Sequence, residues 1–151
     1  SEEISISGSE LFKKNVKKAI LLMIEKKPEY YEFIKSRISN IKEHNISGMH
    51  VHGEFPTLEL SISSCPPNNI PWCASVLYHE AWHVELYRQG RPYTGKDAEY
   101  LCNMKQKAAL INLDAHQSSL TFLDVVTQQG DHSDLDCDGD YDLQDYYIRD
   151  W

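Results

Sequence analysis

The chain has 151 residues, 41% of them hydrophobic, enough for one compact core and too few for two comfortable ones. Its net charge of −8 is lopsided, because residues 131–151 carry eight aspartates against the single Arg149, while the rest of the chain is close to neutral. An acidic end on a balanced body argues against nucleic-acid binding, which needs clustered basic charge, and the absence of any run of about eighteen apolar residues argues against a membrane-spanning helix.

From Ser9 to about Lys26, Leu11, Phe12, Val16, Ala19, Ile20, Met23 and Ile24 recur every three or four residues with lysines between them. That spacing predicts an amphipathic helix, and Ser9 is placed to cap it. Pro28 suits the first turn of a second helix, which Tyr31, Phe33, Ile34, Ile38 and Ile41 carry to about Glu43. Between Met49 and Ser63 the period shortens to two, with Thr57, Leu58, Glu59, Leu60, Ser61 and Ile62 alternating, so one or two strands are expected there.

Four cysteines, Cys65, Cys73, Cys102 and Cys137, lack the C-x-x-C spacing of a zinc ribbon or a thioredoxin-like site. Disulfides are the better expectation: Cys65 with Cys73 around the proline-rich loop, which leaves Cys102 and Cys137 to tie the tail to the body. Free buried thiols are the alternative. Oxidised cysteines imply a secreted protein.

Ala74 to Arg88 reads as a helix closed by Gly90, Asp97 to Asn112 as another, and about Ser118 to Gln129 as a third. The fold class expected is α+β, mainly helical with a small sheet.

The first of these three helices carries His79-Glu80-Ala81-Trp82-His83. Histidines four residues apart project from one helical face a turn apart, so both can reach one zinc ion, while Glu80 beside them is placed to act on a water. The H-E-x-x-H pattern predicts a hydrolytic site: the zinc polarises the scissile carbonyl and Glu80 is the catalytic base. A third protein ligand is required. The extended histidine form would need glycine at 86 and histidine at 89, and this chain has Leu86 and Gln89, which excludes a metzincin.

The stretch Asp97-Ala98-Glu99-Tyr100-Leu101-Cys102-Asn103-Met104-Lys105-Gln106, in which Glu99 lies sixteen residues past His83, resembles the glutamate helix of the gluzincin metallopeptidases. The resemblance implies a zincin-like fold over residues 1–130, Glu99 as the third zinc ligand, and a peptide or protein substrate paired along a strand, with Leu58 to Ile62 the expected strand. It also implies a tyrosine or histidine near the oxyanion, for which Tyr87, Tyr93, Tyr100, Tyr146 and Tyr147 are available. Asp97 is the rival ligand because its segment loosely resembles that of the aspzincins, and His50, His52 and His116 stay open.

In the tail, Asp134, Asp136, Asp138, Asp142 and Asp145 fall at positions 1, 3, 5, 9 and 12 of an EF-hand-type loop, with Gly139 at the turn and the carbonyl of Asp140 at position 7. A cation would relieve the repulsion among so many carboxylates, and calcium fits an all-oxygen donor set. Aspartate at position 12 resembles a dockerin repeat, although only one repeat is present. Residues 131–151 are therefore expected to form a calcium loop and C-terminal segment packed on the same domain. Two other readings remain open: an extracellular calcium-stabilised binding module whose zinc is not catalytic, and a latent peptidase blocked by its own C-terminus.

Overall fold

The computed structural model describes residues 3–128. Three helices and a mixed four-stranded sheet enclose the main core, and two further helices complete the described part. A mainly helical α+β fold is what the hydrophobic periodicities predict. The calcium-loop aspartates 134, 136, 138, 140, 142 and 145 lie outside the described residues.

Strand β1 (Ser5–Ser7) leads into helix α1 (Glu10–Lys26). Ser9 caps α1 as expected, its hydroxyl accepting from the Phe12 amide at 3.2 Å. Phe12, Val16, Ala19 and Met23 are fully buried on one face of this helix.

Helix α2 begins at Pro28 as expected but ends at Lys35, and Asn40–Glu43 form strand β2 instead of its last turns. Ser36, Ser39 and Asn40 favour local side-chain to backbone bonds over helix. Ile38 and Ile41 are buried all the same, Ile41 from a strand flanked on both sides. Their spacing of three suited a helix, and the sheet overrode it.

Strands β3 (Gly48–His50) and β4 (Thr57–Leu60) form an antiparallel pair, and β4 and β1 run parallel to β2 on either side of it. The order is β1-β2-β4-β3, so β3 is an edge strand. This corrects the expected role of Leu58 to Ile62: β4 is enclosed between two strands, and among the described residues the edges of the sheet belong to β1 and β3.

Helix α3 (Ile70–Arg88) is capped by Asn69, whose side chain accepts from the Trp72 amide at 3.2 Å. It ends in a Schellman turn, with Arg91 N–H donating to Leu86 O and Gly90 N–H to Tyr87 O, and Gly90 at φ 70°. Cys73, Ala74, Val76, Leu77, Ala81 and Val84 are buried along it, so α3 runs through the interior. Helix α4 (Lys96–Asn112) packs against α3, and α5 (Gln117–Gln128) against α4. None of these helices is long and apolar enough to cross a membrane.

Cys65 and Cys73 form the expected disulfide. Cys102 is a free, buried cysteine on α4, and Cys137, its expected partner, lies outside the described residues. The Cys102 side chain is packed with Leu86 and Ala98, away from solvent.

Candidate metal centre

The interior course of α3 puts polar groups where a core helix would ordinarily be apolar. His79, Glu80 and His83 are 1%, 0% and 5% exposed. Buried polar groups persist when they have partners, and α4 supplies them. Glu99, only 4% exposed, reaches His83 Nε2 at 3.0 Å and His79 Nε2 at 3.3 Å with its two carboxylate oxygens. Among the ligand candidates weighed from sequence, Glu99 meets both histidines. Asp97 is exposed, because two residues along a helix is more than half a turn, and Ala98 and Glu99 take the inward face.

The two imidazoles point the same nitrogen at one spot, Nε2 to Nε2 at 3.2 Å. His83 Nδ1–H donates to the Tyr93 carbonyl at 2.7 Å, which fixes the tautomer and leaves Nε2 to face the site in the neutral ring. Two nitrogen lone pairs at that separation repel unless a proton or a cation lies between them. Burial lowers the pKa of His83, but the Glu99 carboxylate, together with Cys102, outweighs it and holds the pKa well above the ordinary histidine value. The buried Glu99 carboxylate thus favours a proton on His83.

Cys102 stands one turn beyond Glu99 on α4 and belongs to the same cluster. Its sulfur and one ring nitrogen from each of His79 and His83 lie within 4.8 Å of one another, close enough to hold a metal ion. Burial pushes its thiol pKa up, against the pull of His83. Sequence reasoning assigned this cysteine to a disulfide. The signal that could have found it is the Glu99-x-x-Cys102 spacing, which sets both side chains on one helical face.

Comparison of the chain with protein-family models, with curated proteins and with solved structures finds no match. The site is therefore read from its own geometry.

A cavity of about 220 Å³ opens onto the centre, with Glu80, His83 and Glu99 on one wall and β3 with Val51 on the other. Glu80 turns Oε1 toward the centre, 3.7 Å from His79 Nε2. Tyr93 also lines this cavity, and its hydroxyl lies 3.4 Å from His52 Nε2. The His52 ring is edge-on to Tyr87 and Tyr93, with centroids 4.9 and 5.9 Å away. His50 is instead bound to Glu59 on the sheet, and His116 to Ser118 at the start of α5, so neither joins the centre.

The donor set fits a borderline divalent ion. Two imidazoles and a carboxylate, with one tautomer fixed by a backbone carbonyl, are the ligands and outer support that zinc takes in hydrolytic sites.

Proposed function

We propose that this chain is a zinc-dependent endopeptidase, with His79, His83 and Glu99 as zinc ligands and Glu80 as general base. The observation that carries it is the convergence of those three buried donors beneath a cavity with Glu80 on one wall and an edge strand on the other. Zinc bound there supplies a Lewis acid for the scissile carbonyl and lowers the pKa of a water. Glu80 takes the proton of the attacking water and passes it to the leaving amine. An extended peptide adds to the free edge of β3, which aligns its carbonyl over Glu80. Tyr93, seated by His52, donates a hydrogen bond to the oxygen that gains negative charge. We further propose that the acidic tail binds structural calcium and that the protein works outside the cell, to which the Cys65–Cys73 disulfide is suited.

Glu80→Gln tests the reading. The variant should keep one zinc per chain after dialysis and lose cleavage of a quenched fluorescent peptide library, by at least roughly 10²-fold. Equal cleavage by wild type and Glu80→Gln would sink the peptidase assignment.

A further inference from the structure

The proposed chemistry employs His79, His83, Glu99 and Glu80 and gives Cys102 no part. A buried free cysteine is ordinarily a small hydrophobe packed among apolar neighbours. Cys102 has such neighbours in Leu86 and Ala98, yet its sulfur also lies within 4.8 Å of two imidazole nitrogens. The Nε2 atoms of the same two histidines face each other at 3.2 Å, a separation that either a shared proton or a bound cation satisfies. Glu99 and Cys102 sit three residues apart on α4 and so offer a carboxylate and a soft sulfur to the same region. Two histidines, a glutamate and a cysteine make four donors, and four protein donors complete the tetrahedral shell of a closed zinc site.

We propose that Cys102 is itself a metal ligand, filling in the resting protein the fourth position that a peptidase must leave to water. The site is then latent, closed by the same helix that supplies its carboxylate. On metal uptake the thiol gives its proton to solvent and one metal–sulfur bond forms. Opening breaks that bond, returns a proton to sulfur and admits water in its place. This inference rests on the metal-centre reading and would survive loss of the peptidase assignment as a structural His-His-Glu-Cys site.

Cobalt(II) substitution of the full chain tests it without recourse to turnover. Visible d–d absorption reports a bound tetrahedral ion, and a near-ultraviolet sulfur-to-cobalt charge-transfer band reports a thiolate ligand. Wild type and Cys137→Ser should show both features. Cys102→Ser and Cys102→Ala should keep the visible absorption and lose the charge-transfer band, and zinc-loaded Cys102→Ser should cleave peptide roughly tenfold faster than wild type. Visible absorption without the charge-transfer band in wild type would overturn the thiolate role and leave the metal centre standing. So would a band that survives Cys102→Ser and disappears in Cys137→Ser. Failure to take up cobalt at all would overturn both readings. A band assigned to Cys102 with no gain in cleavage on its removal would overturn latency. Should the Cys102 variants fail to fold, the wild-type and Cys137→Ser spectra decide the thiolate question alone.

Discussion

Removal of the metal should loosen the contact between α3 and α4, because His79 and His83 come from one helix and Glu99 and Cys102 from the other. An ion that binds only the folded chain stabilises it by about 2.7 kcal/mol when free zinc is a hundred times its dissociation constant. For a chain of this length, about 2–4 °C of Tm accompanies each kcal/mol, so zinc added to stripped protein should raise Tm by about 5–11 °C. The donors must shed protons to bind, and His83 holds its proton well above the ordinary histidine value, so the increment should grow as pH rises through and beyond the ordinary histidine range. The assay is differential scanning calorimetry after treatment with phenanthroline, which prefers zinc over calcium, followed by zinc or calcium added separately. In His83→Ala the zinc increment should vanish while any calcium increment persists. A zinc shift of equal size in wild type and His83→Ala would refute binding at this centre.

Reduction of the Cys65–Cys73 disulfide, or its replacement by paired alanines, frees a short loop of sequence separation 8 and should cost about 2.5 kcal/mol, measured by urea denaturation. Glu85 lies 2.8 Å from Arg37; burial raises its pKa, but bonds from Gln89 and Arg37 outweigh that and hold it below the ordinary carboxylate value. A depressed folded-state pKa contributes stability above the unfolded value of about 4.3 and loses it as pH falls through the folded value. Glu85→Gln should therefore be less stable than wild type by about 0.5–1 kcal/mol near neutrality, with the gap closing below about pH 4 in a Tm-against-pH series. Tyr93→Phe should lower kcat roughly 10²-fold with little change in KM; a change in KM alone would remove Tyr93 from the oxyanion. Glu80→Leu should abolish cleavage and, because it removes one member of a buried polar cluster in contact with His79, lower the Tm of the metal-free fold; an unchanged or higher Tm would count against that.

Local pattern was enough for most of α1, α3 and α4, because each has a long period; Ser9 marks the start of α1 and Gly90 the end of α3, whereas the Asn69 cap passed unread and α3 was expected from Ala74 instead of Ile70. The sheet was harder to read. Strand β1 is three residues long, and β2 is held by parallel partners more than fifteen residues away on either side, Ile6 and Leu58 against Ile41. Nothing within Ser36 to Glu43 records those neighbours, so Ile38 and Ile41 passed for the end of a helix. The same limit governs the site. His79 and His83 are legible because one helix carries both, and Glu99 followed from a resemblance. That Glu99 rather than Asp97 faces inward depends on how α4 is rotated against α3. Cys102 is inseparable from that rotation.

The core helix and the site are one element, and this accounts for the shape of both. Helix α3 buries Cys73, Val76, Leu77, Ala81 and Val84, yet three positions along the same stretch hold His79, Glu80 and His83. A helix buried nearly all round could fill those positions with leucine at no cost to folding. The chain instead keeps two imidazoles and a carboxylate inside and answers them with Glu99 and Cys102 from α4 and a carbonyl from the loop at Tyr93. Each answering group comes from the stretch after Gly90, where α3 turns back on itself. The order of α3, tight turn and α4 therefore serves the buried centre as much as the core. The smaller cluster of Leu86, Ala98 and Cys102 is where apolar packing and metal-ligand geometry meet. Changes there should move metal affinity and stability together, whereas changes beneath the sheet should move stability alone.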